Sequence, residues 1–181
     1  VDLSAFYFDI RKDALYCDSK DSERRKSSIV VLNIILESLI KWFAPILSFT
    51  TEEIFTLISK DKKSIHLEKF IEFPKSFENE KLNKKWKELK KIRDICNISI
   101  EAKRASKEIG SSLEANLTIN LSKNLYEISN NIDFSELCIT SAAIVEQSGT
   151  EEVMVKTTKA KGNKCPVCWK INNEKCERHS S

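Results

Sequence analysis

The chain has 181 residues, 41% of them hydrophobic and 31% charged, with 30 Lys and Arg against 27 Asp and Glu. So high an apolar share excludes a disordered chain, and only three Gly and three Pro argue against collagen-like or turn-rich all-β architectures and for helix. A formal charge of +3 permits a nucleic-acid partner without arguing for one, because the clustering of basic residues decides.

The most apolar run, Ile29 to Phe43, is broken by Asn33, Glu37 and Lys41. A membrane span needs about 20 mostly apolar residues, so this run is expected to be a core helix and no membrane partner is expected. The chain opens at Val1 inside a periodic pattern, with no signal-peptide layout. It reads as a piece of something longer. The cysteines are not spaced as a disulfide framework, so a cytoplasmic location is expected.

Leu3, Phe6, Tyr7, Ile10, Ala14 and Leu15 recur at helical spacing and predict an amphipathic helix over residues 1–17. A polar break, Asp18 to Asp21, follows, with Ser22 as the expected N-cap. Arg24, Arg25 and Lys26 then fall in the next helix's opening turn, where the macrodipole disfavours cations. They either invite an anionic partner or are simply solvated. The helix from Glu23 to Ala44 is apolar around most of its circumference, which predicts a central place in a bundle. Pro45 ends or kinks it. Thr50 or Thr51 is expected to cap the next helix, and Thr50 with Glu53 resembles a capping box. That helix is expected to reach Ser59, with a polar turn over Lys60–Ser64, an extended link over Ser64–Phe70, and Phe73–Pro74 closing it.

A long amphipathic helix is predicted over Asn79 to Glu108, with Leu82, Trp86, Leu89, Ile92, Cys96 and Ile100 on one stripe and Gly110 as a left-handed cap. The period then changes. Asn116–Ser122 alternates as a strand, a short helix follows near Asn124–Asn131, and strands are expected at Ala142–Glu146 and Val153–Thr157, with a turn at Gly149. The expected fold is mainly α: a helical bundle over residues 1–112, a small α+β unit over 113–160, and a knuckle module over 161–181.

The chemistry is concentrated in that last module, which reads Lys164-Cys165-Pro166-Val167-Cys168-Trp169-Lys170 and then Cys176-Glu177-Arg178-His179. Each Cys-x-x-Cys or Cys-x-x-His pair forms a tight knuckle whose side chains can point at one metal, and two knuckles complete a tetrahedral site. Soft thiolates favour zinc over calcium or magnesium. Three thiolates and an imidazole fill the shell, so one structural Zn2+ held by Cys165, Cys168, Cys176 and His179 is expected. The alternatives are four unrelated residues in a tail, or a thioredoxin-type redox pair lacking its usual flanking fold. Cys17, Cys96 and Cys138 sit on apolar patterns and are expected to be buried small hydrophobes. His66 is expected to be partly exposed and structural. No phosphate-binding Gly-rich loop, nucleophile elbow or paired-His metalloprotease helix is present.

A family resemblance runs through these stretches. Asp2 to Asp13 with Leu15-Tyr16-Cys17, Trp42 to Thr50 with Glu52-Glu53-Ile54, Ile109 to Ala115, and the Cys-x-x-Cys-Trp segment occur in order from residue 2 to residue 179. Together they resemble the anticodon-binding helical domain and C-terminal zinc module of bacterial isoleucyl-tRNA synthetase. The resemblance implies a parent enzyme, isoleucine–tRNA ligase, that activates isoleucine with ATP and attaches it to its tRNA. It also implies that ATP belongs to a catalytic domain elsewhere in the same polypeptide, and that this fragment alone catalyses neither aminoacylation nor editing. The partner implied is the anticodon arm of tRNA(Ile), met by a monomer. The family's usual fourth zinc ligand is Cys, and here that position is His179.

On this resemblance Trp169 is the candidate for stacking on an anticodon base, which is worth about 1–3 kcal/mol per base; its alternative is a lid packed over the zinc knuckle. Arg24, Arg25, Lys103, Arg104 and Lys107 are the candidate phosphate contacts, or solvated surface. The rival reading is a stand-alone zinc module that binds protein or another nucleic acid.

Overall fold

The computed structural model describes residues 2–59 and 63–179. Most of the polar turn expected over 60–64 therefore lies outside the described residues. The chain is mainly helical: among the described residues there are six α-helices, a three-stranded sheet and a two-stranded ribbon. Among the described residues no helix is long and apolar enough to cross a membrane. Two compact units divide the chain, one built from residues 2–17 with 79–179 and the other from Asp18–Glu78.

In the second unit, α2 (Glu23–Phe43) starts where Ser22 Oγ accepts the Arg25 amide at 3.4 Å. It stops ahead of Pro45, where the Ile46 and Leu47 amides turn back onto the Phe43 carbonyl at 2.9 and 2.7 Å. The chain enters α3 (Ser48–Ile58) directly from that turn. Neither Thr50 nor Thr51 caps it: Leu47 holds the cap position without a side-chain bond, and Thr51 sits inside the first turn. Its buried hydroxyl donates back to the Leu47 carbonyl at 3.0 Å, the alternative open to a threonine already within a helix. Glu52 accepts from the Ser64 hydroxyl and the Ile65 amide, both at 2.9 Å, and so curls the expected extended link into a 3-10 turn, Ile65–Leu67. His66 on that turn is exposed.

The core of this unit is small: Ile40, Ala44, Phe55 and Ile65, with Leu36 and Ile54 against it. The expectation that α2 lies centrally fails here. Ile29, Val30, Val31, Trp42 and Phe43 are exposed, because α3 and one short turn cover only a single side of a helix that is apolar almost all round.

The first unit begins with π-helical turns, Asp2–Phe8, that run into α1 (Asp9–Cys17). Ile10 and Ala14 are the buried positions of α1. Asn79 caps α4 (Glu80–Ala105) by accepting the Leu82 amide at 2.9 Å. The expected stripe is inside from Leu89 through Ile92 and Cys96 to Ile100, and Trp86 meets Phe6 edge to face at 6.2 Å. Leu82 stays half exposed. The helix ends earlier than expected and Gly110 does not cap it. Lys107 takes the left-handed conformation, φ 59°. Its amide donates to the Arg104 carbonyl at 3.0 Å, and the Glu108 amide donates to Lys103 at 3.1 Å, the two bonds of a Schellman closure. Gly110, two residues farther on, has no positive φ and instead donates its amide to Glu114 at 2.9 Å.

Beyond it, β1 (Ala115–Leu121) is the centre of a three-stranded sheet, parallel to β2 (Ala142–Gln147) and antiparallel to β3 (Met154–Lys159). Leu117, Ile119 and Leu121 point into the core with the α4 stripe. Gly149 lies between β2 and β3 in sequence, yet those strands flank β1 and do not pair with each other. The crossover from β1 to β2 carries α5 (Lys123–Ser129) and a one-turn α6 (Phe134–Leu137) that the periodicity did not disclose.

A non-glycine residue in left-handed conformation costs about 1–2 kcal/mol. Lys107→Gly should therefore raise the unfolding free energy by about 1 kcal/mol once glycine's extra freedom in the unfolded chain is set against it, seen as a higher urea midpoint, while Gly110→Ala should be nearly neutral. A lower midpoint for the lysine variant would contradict this account of the helix end.

Candidate metal centre and nucleic-acid interface

The metal-ligating segment is carried by a two-stranded ribbon, β4 (Asn163–Lys164) antiparallel to β5 (Ile171–Asn172). Gly162 enters it at φ 124°, where an added Cβ would come within 2.2 Å of the Asn172 carbonyl oxygen, so no side chain fits. Between the strands the Cys165 amide donates to the Lys170 carbonyl at 2.9 Å and the Trp169 amide donates to the Cys165 carbonyl at 3.0 Å. This knuckle buries Cys165 and Cys168. The second turn closes through the His179 amide on the Cys176 carbonyl at 3.0 Å.

The two turns meet. Cys165 Sγ, Cys168 Sγ, Cys176 Sγ and His179 Nδ1 all lie within 4.8 Å of one another. Cys168 Sγ is 3.8 Å from Cys176 Sγ, and His179 Nδ1 is 3.4 Å from Cys165 Sγ and 3.3 Å from Cys176 Sγ. With bonds of about 2.3 Å to sulfur and 2.0–2.1 Å to nitrogen, a tetrahedron has edges of about 3.8 Å between sulfurs and about 3.6 Å between sulfur and nitrogen. The donor set fits a metal ion, and the four residues singled out by spacing are the ones brought together.

Helix α1 supports the cluster from behind. His179 Nε2–H donates to the Cys17 carbonyl at 2.8 Å, so in the neutral ring Nδ1 is the unprotonated nitrogen facing the sulfurs, the outer-shell arrangement of metal-bound histidines. Arg178 pairs with Asp13 at 2.8 Å. Cys17 is half-buried, and its thiol donates to the Val167 carbonyl at 3.7 Å. It is a docking residue under the site and not the plain buried hydrophobe expected; nothing in its own spacing signals that. Cys96 and Cys138 are buried as expected, and their contact with each other pushes the Cys138 thiol upward. Backbone amides of Cys168 and Val167 hold the Cys165 thiol down at about 6, whereas burial pushes Cys168 up to about 11. The Cys17 carbonyl raises the His179 imidazole.

Beside the cluster lies an apolar cavity of about 370 Å³ between the end of α1 and the knuckle, bounded by Tyr16, Cys17, Val167 and Trp169. Trp169 is 59% exposed and Tyr16 81% exposed. Trp169 takes the left-handed backbone conformation, φ 63°, and Lys164 Nζ lies 5.3 Å from its ring centre. More than half of the Trp169 surface is open to solvent. Tyr16 was not singled out from sequence because it lies off the apolar stripe of α1.

The candidate cations fare differently. Arg24 grips Asp18 with two bonds of 2.8 Å, and Arg25 donates to the Asp18 carbonyl at 3.1 Å. An internal carboxylate thus answers the basic opening turn of α2. Lys103 and Arg104 are paired with Glu108 at 2.9 Å and Glu101 at 2.6 Å. Lys103, Arg104 and Lys107 share the end of α4, while Arg24 and Arg25 belong to the other unit.

Residues 1–119 match the family described as the anticodon-binding domain of tRNA ligase. The chain belongs to that family. Members of the anticodon-binding family that resemble it along nearly its whole length are isoleucine–tRNA ligases. That of Pelagibacter ubique is 79% identical over 99% of this chain. Those of Bartonella henselae and Agrobacterium fabrum are 41% and 39% identical over 96% of it. This anticodon-binding chain spans about a fifth of the length of these curated relatives, 20% of the first and 19% of the others.

The knuckle also rests on α6, whose cap tests that support. Asp133 accepts the Ser135 and Glu136 amides at 2.8 and 3.3 Å, and Lys170 donates to the Ser135 hydroxyl at 3.1 Å. Burial acts to raise the Asp133 carboxyl, but the hydrogen bonds from Ser135 and the Lys170 charge outweigh it and hold it below the usual range. A lowered folded-state value means the contribution is complete above the unfolded value of about 3.9 and disappears as pH falls through the folded one. Asp133→Ala should cost about 1 kcal/mol near neutrality and markedly less near about pH 2, in urea titrations at both pH values. An equal cost at both would refute the charged cap.

Proposed function

We propose that this chain is the tRNA-recognising part of an isoleucine–tRNA ligase, with the ATP-dependent attachment of isoleucine performed by other parts of a longer polypeptide. Residues 1–112 serve as its helical anticodon-binding portion, 113–160 as an α+β spacer, and 161–181 as the metal module. The observation that carries this reading is the four-donor cluster set beside the open ring of Trp169, in a chain of the anticodon-binding family.

The metal is zinc, held by Cys165, Cys168, Cys176 and His179. It supplies a structural cross-link: with four protein ligands no position is left for an activated water. The protein's own groups do the recognising. Trp169 and Tyr16 offer aromatic faces beside an apolar cavity, the kind of surface on which an unstacked loop base is held. Lysine and arginine side chains meet the phosphates and position the RNA without reading its sequence, and of the five candidates Lys107 carries the least internal pairing.

Two measurements test this. Elemental analysis of the purified chain should give one zinc per chain, taken up with proton release because thiolates are the ligands, and Cys176→Ser should lower that content. Far less than one equivalent in the unaltered chain counts against the site. An anticodon stem-loop of isoleucine tRNA should bind at low salt and lose affinity steeply as salt rises. Trp169→Ala should weaken that binding by about 1–3 kcal/mol with helicity unchanged. No binding of the stem-loop at low salt would overturn the tRNA reading.

A further inference from the structure

The cations put forward as phosphate contacts are largely paired within their own chain, but a different set is not. The first half of α4 and the outer side of α5 enclose an open groove of about 950 Å³ lined by Lys81, Lys84, Lys85 and Lys87. Among the described residues none of these four ammonium groups has an ion-pair partner. Two acids reach the groove, Glu88 and Glu127, and Glu88 is already held by Lys91 at 2.8 Å.

This arrangement works against the helix. Lys81 and Lys85 stand four residues apart, Lys81 and Lys84 three, and Lys84 and Lys87 three, so like charges face each other along one side. Lys81 also falls in the first turn, where a cation opposes the helix dipole. An anion laid in the groove would relieve both.

We propose that this groove is a phosphate-binding tract for RNA, separate from the metal module and the end of α4; it rests on the tRNA reading above. Flexible point charges in a row suit a phosphate backbone, whose contacts position without reading bases. Leu82 and Ile128 give the floor a narrow apolar strip against which a ribose can lie, and Asn124 at the rim offers an amide to a sugar or phosphate oxygen. An acidic protein partner fits less well: the groove has no buried aromatic or arginine anchor of the kind that concentrates binding energy in protein interfaces.

The test uses the full chain and a full-length isoleucine tRNA transcript, followed by fluorescence anisotropy from 50 to 200 mM salt. Lys81→Gln, Lys84→Gln and Lys85→Gln together should weaken binding and flatten the dependence of log affinity on log salt by about 2–3, since each phosphate contact contributes about 0.7–0.9 to the slope. Over that range the unaltered chain should then lose about 20-fold more affinity than the variant. Neutralising the exposed Lys156, Lys159 and Lys161 on and after β3 removes the same charge elsewhere and should leave the slope near that of the unaltered chain. Replacing Lys81, Lys84 and Lys85 by arginine should preserve it, which guards against a merely misfolded glutamine variant. If the glutamine variant keeps the unaltered slope and affinity, the tract is refuted while the tRNA reading stands. If the unaltered chain fails to bind the transcript at all, both fall. Tighter binding of polyglutamate than of RNA, lost in the glutamine variant, would give the groove to an acidic protein and overturn the proposal.

Discussion

The bond from His179 Nε2 to the carbonyl of Cys17 joins positions 162 residues apart, and the metal-cluster end of the molecule is organised around it. It selects the tautomer that aims Nδ1 at the thiol groups, and it seats the second knuckle on the last turn of α1. The same docking brings Tyr16 to one side of the apolar cavity and Trp169 to the other. A metal in the four-donor cluster would lock the two knuckles to each other, but it is α1 that fixes where the locked unit stands. Arg178 with Asp13 and the Cys17 thiol with Val167 add two more ties across the same seam.

Much of this was legible in the residues alone, for reasons that differ by element. The stripe from Leu89 to Ile100 and the alternation of Leu117, Ile119 and Leu121 declare themselves because one buried face leaves a period. The four metal donors declare themselves because a knuckle requires a fixed two-residue gap. The α6 helix is only four residues long and has no period to find; its mark is the Asp133 cap. Gly110 attracted the helix end because glycine is the usual left-handed residue, yet the closure came three residues earlier, where Lys107 accepts the strain. The Cys17 carbonyl could not be read at all, since any residue has one.

Charge was the least legible property. Of the cations put forward for phosphate contact, Arg24, Lys103 and Arg104 each have a carboxylate of their own chain within 3 Å. Such pairs near the surface contribute little to stability, but they change how an approaching anion sees the protein. The groove lysines of α4 differ in what surrounds them and not in their type or spacing. Only coordinates separate the two classes.

The division of the chain has a further consequence for how it comes into being. The unit that carries α1 and the metal cluster is discontinuous: Asp18–Glu78 intervenes between α1 and the helix α6 and metal cluster that it packs against. During synthesis α1 leaves the ribosome ahead of α6 and the metal cluster, and must wait through that whole insertion to meet them. The inserted helices can close on themselves at once through near-neighbour contacts, whereas the sheet needs β2 to return alongside β1 after a crossover, a slower kind of pairing. Docking of the metal cluster therefore comes after closure of the insertion, when the Cys176–His179 turn reaches back to a helix made 162 residues earlier.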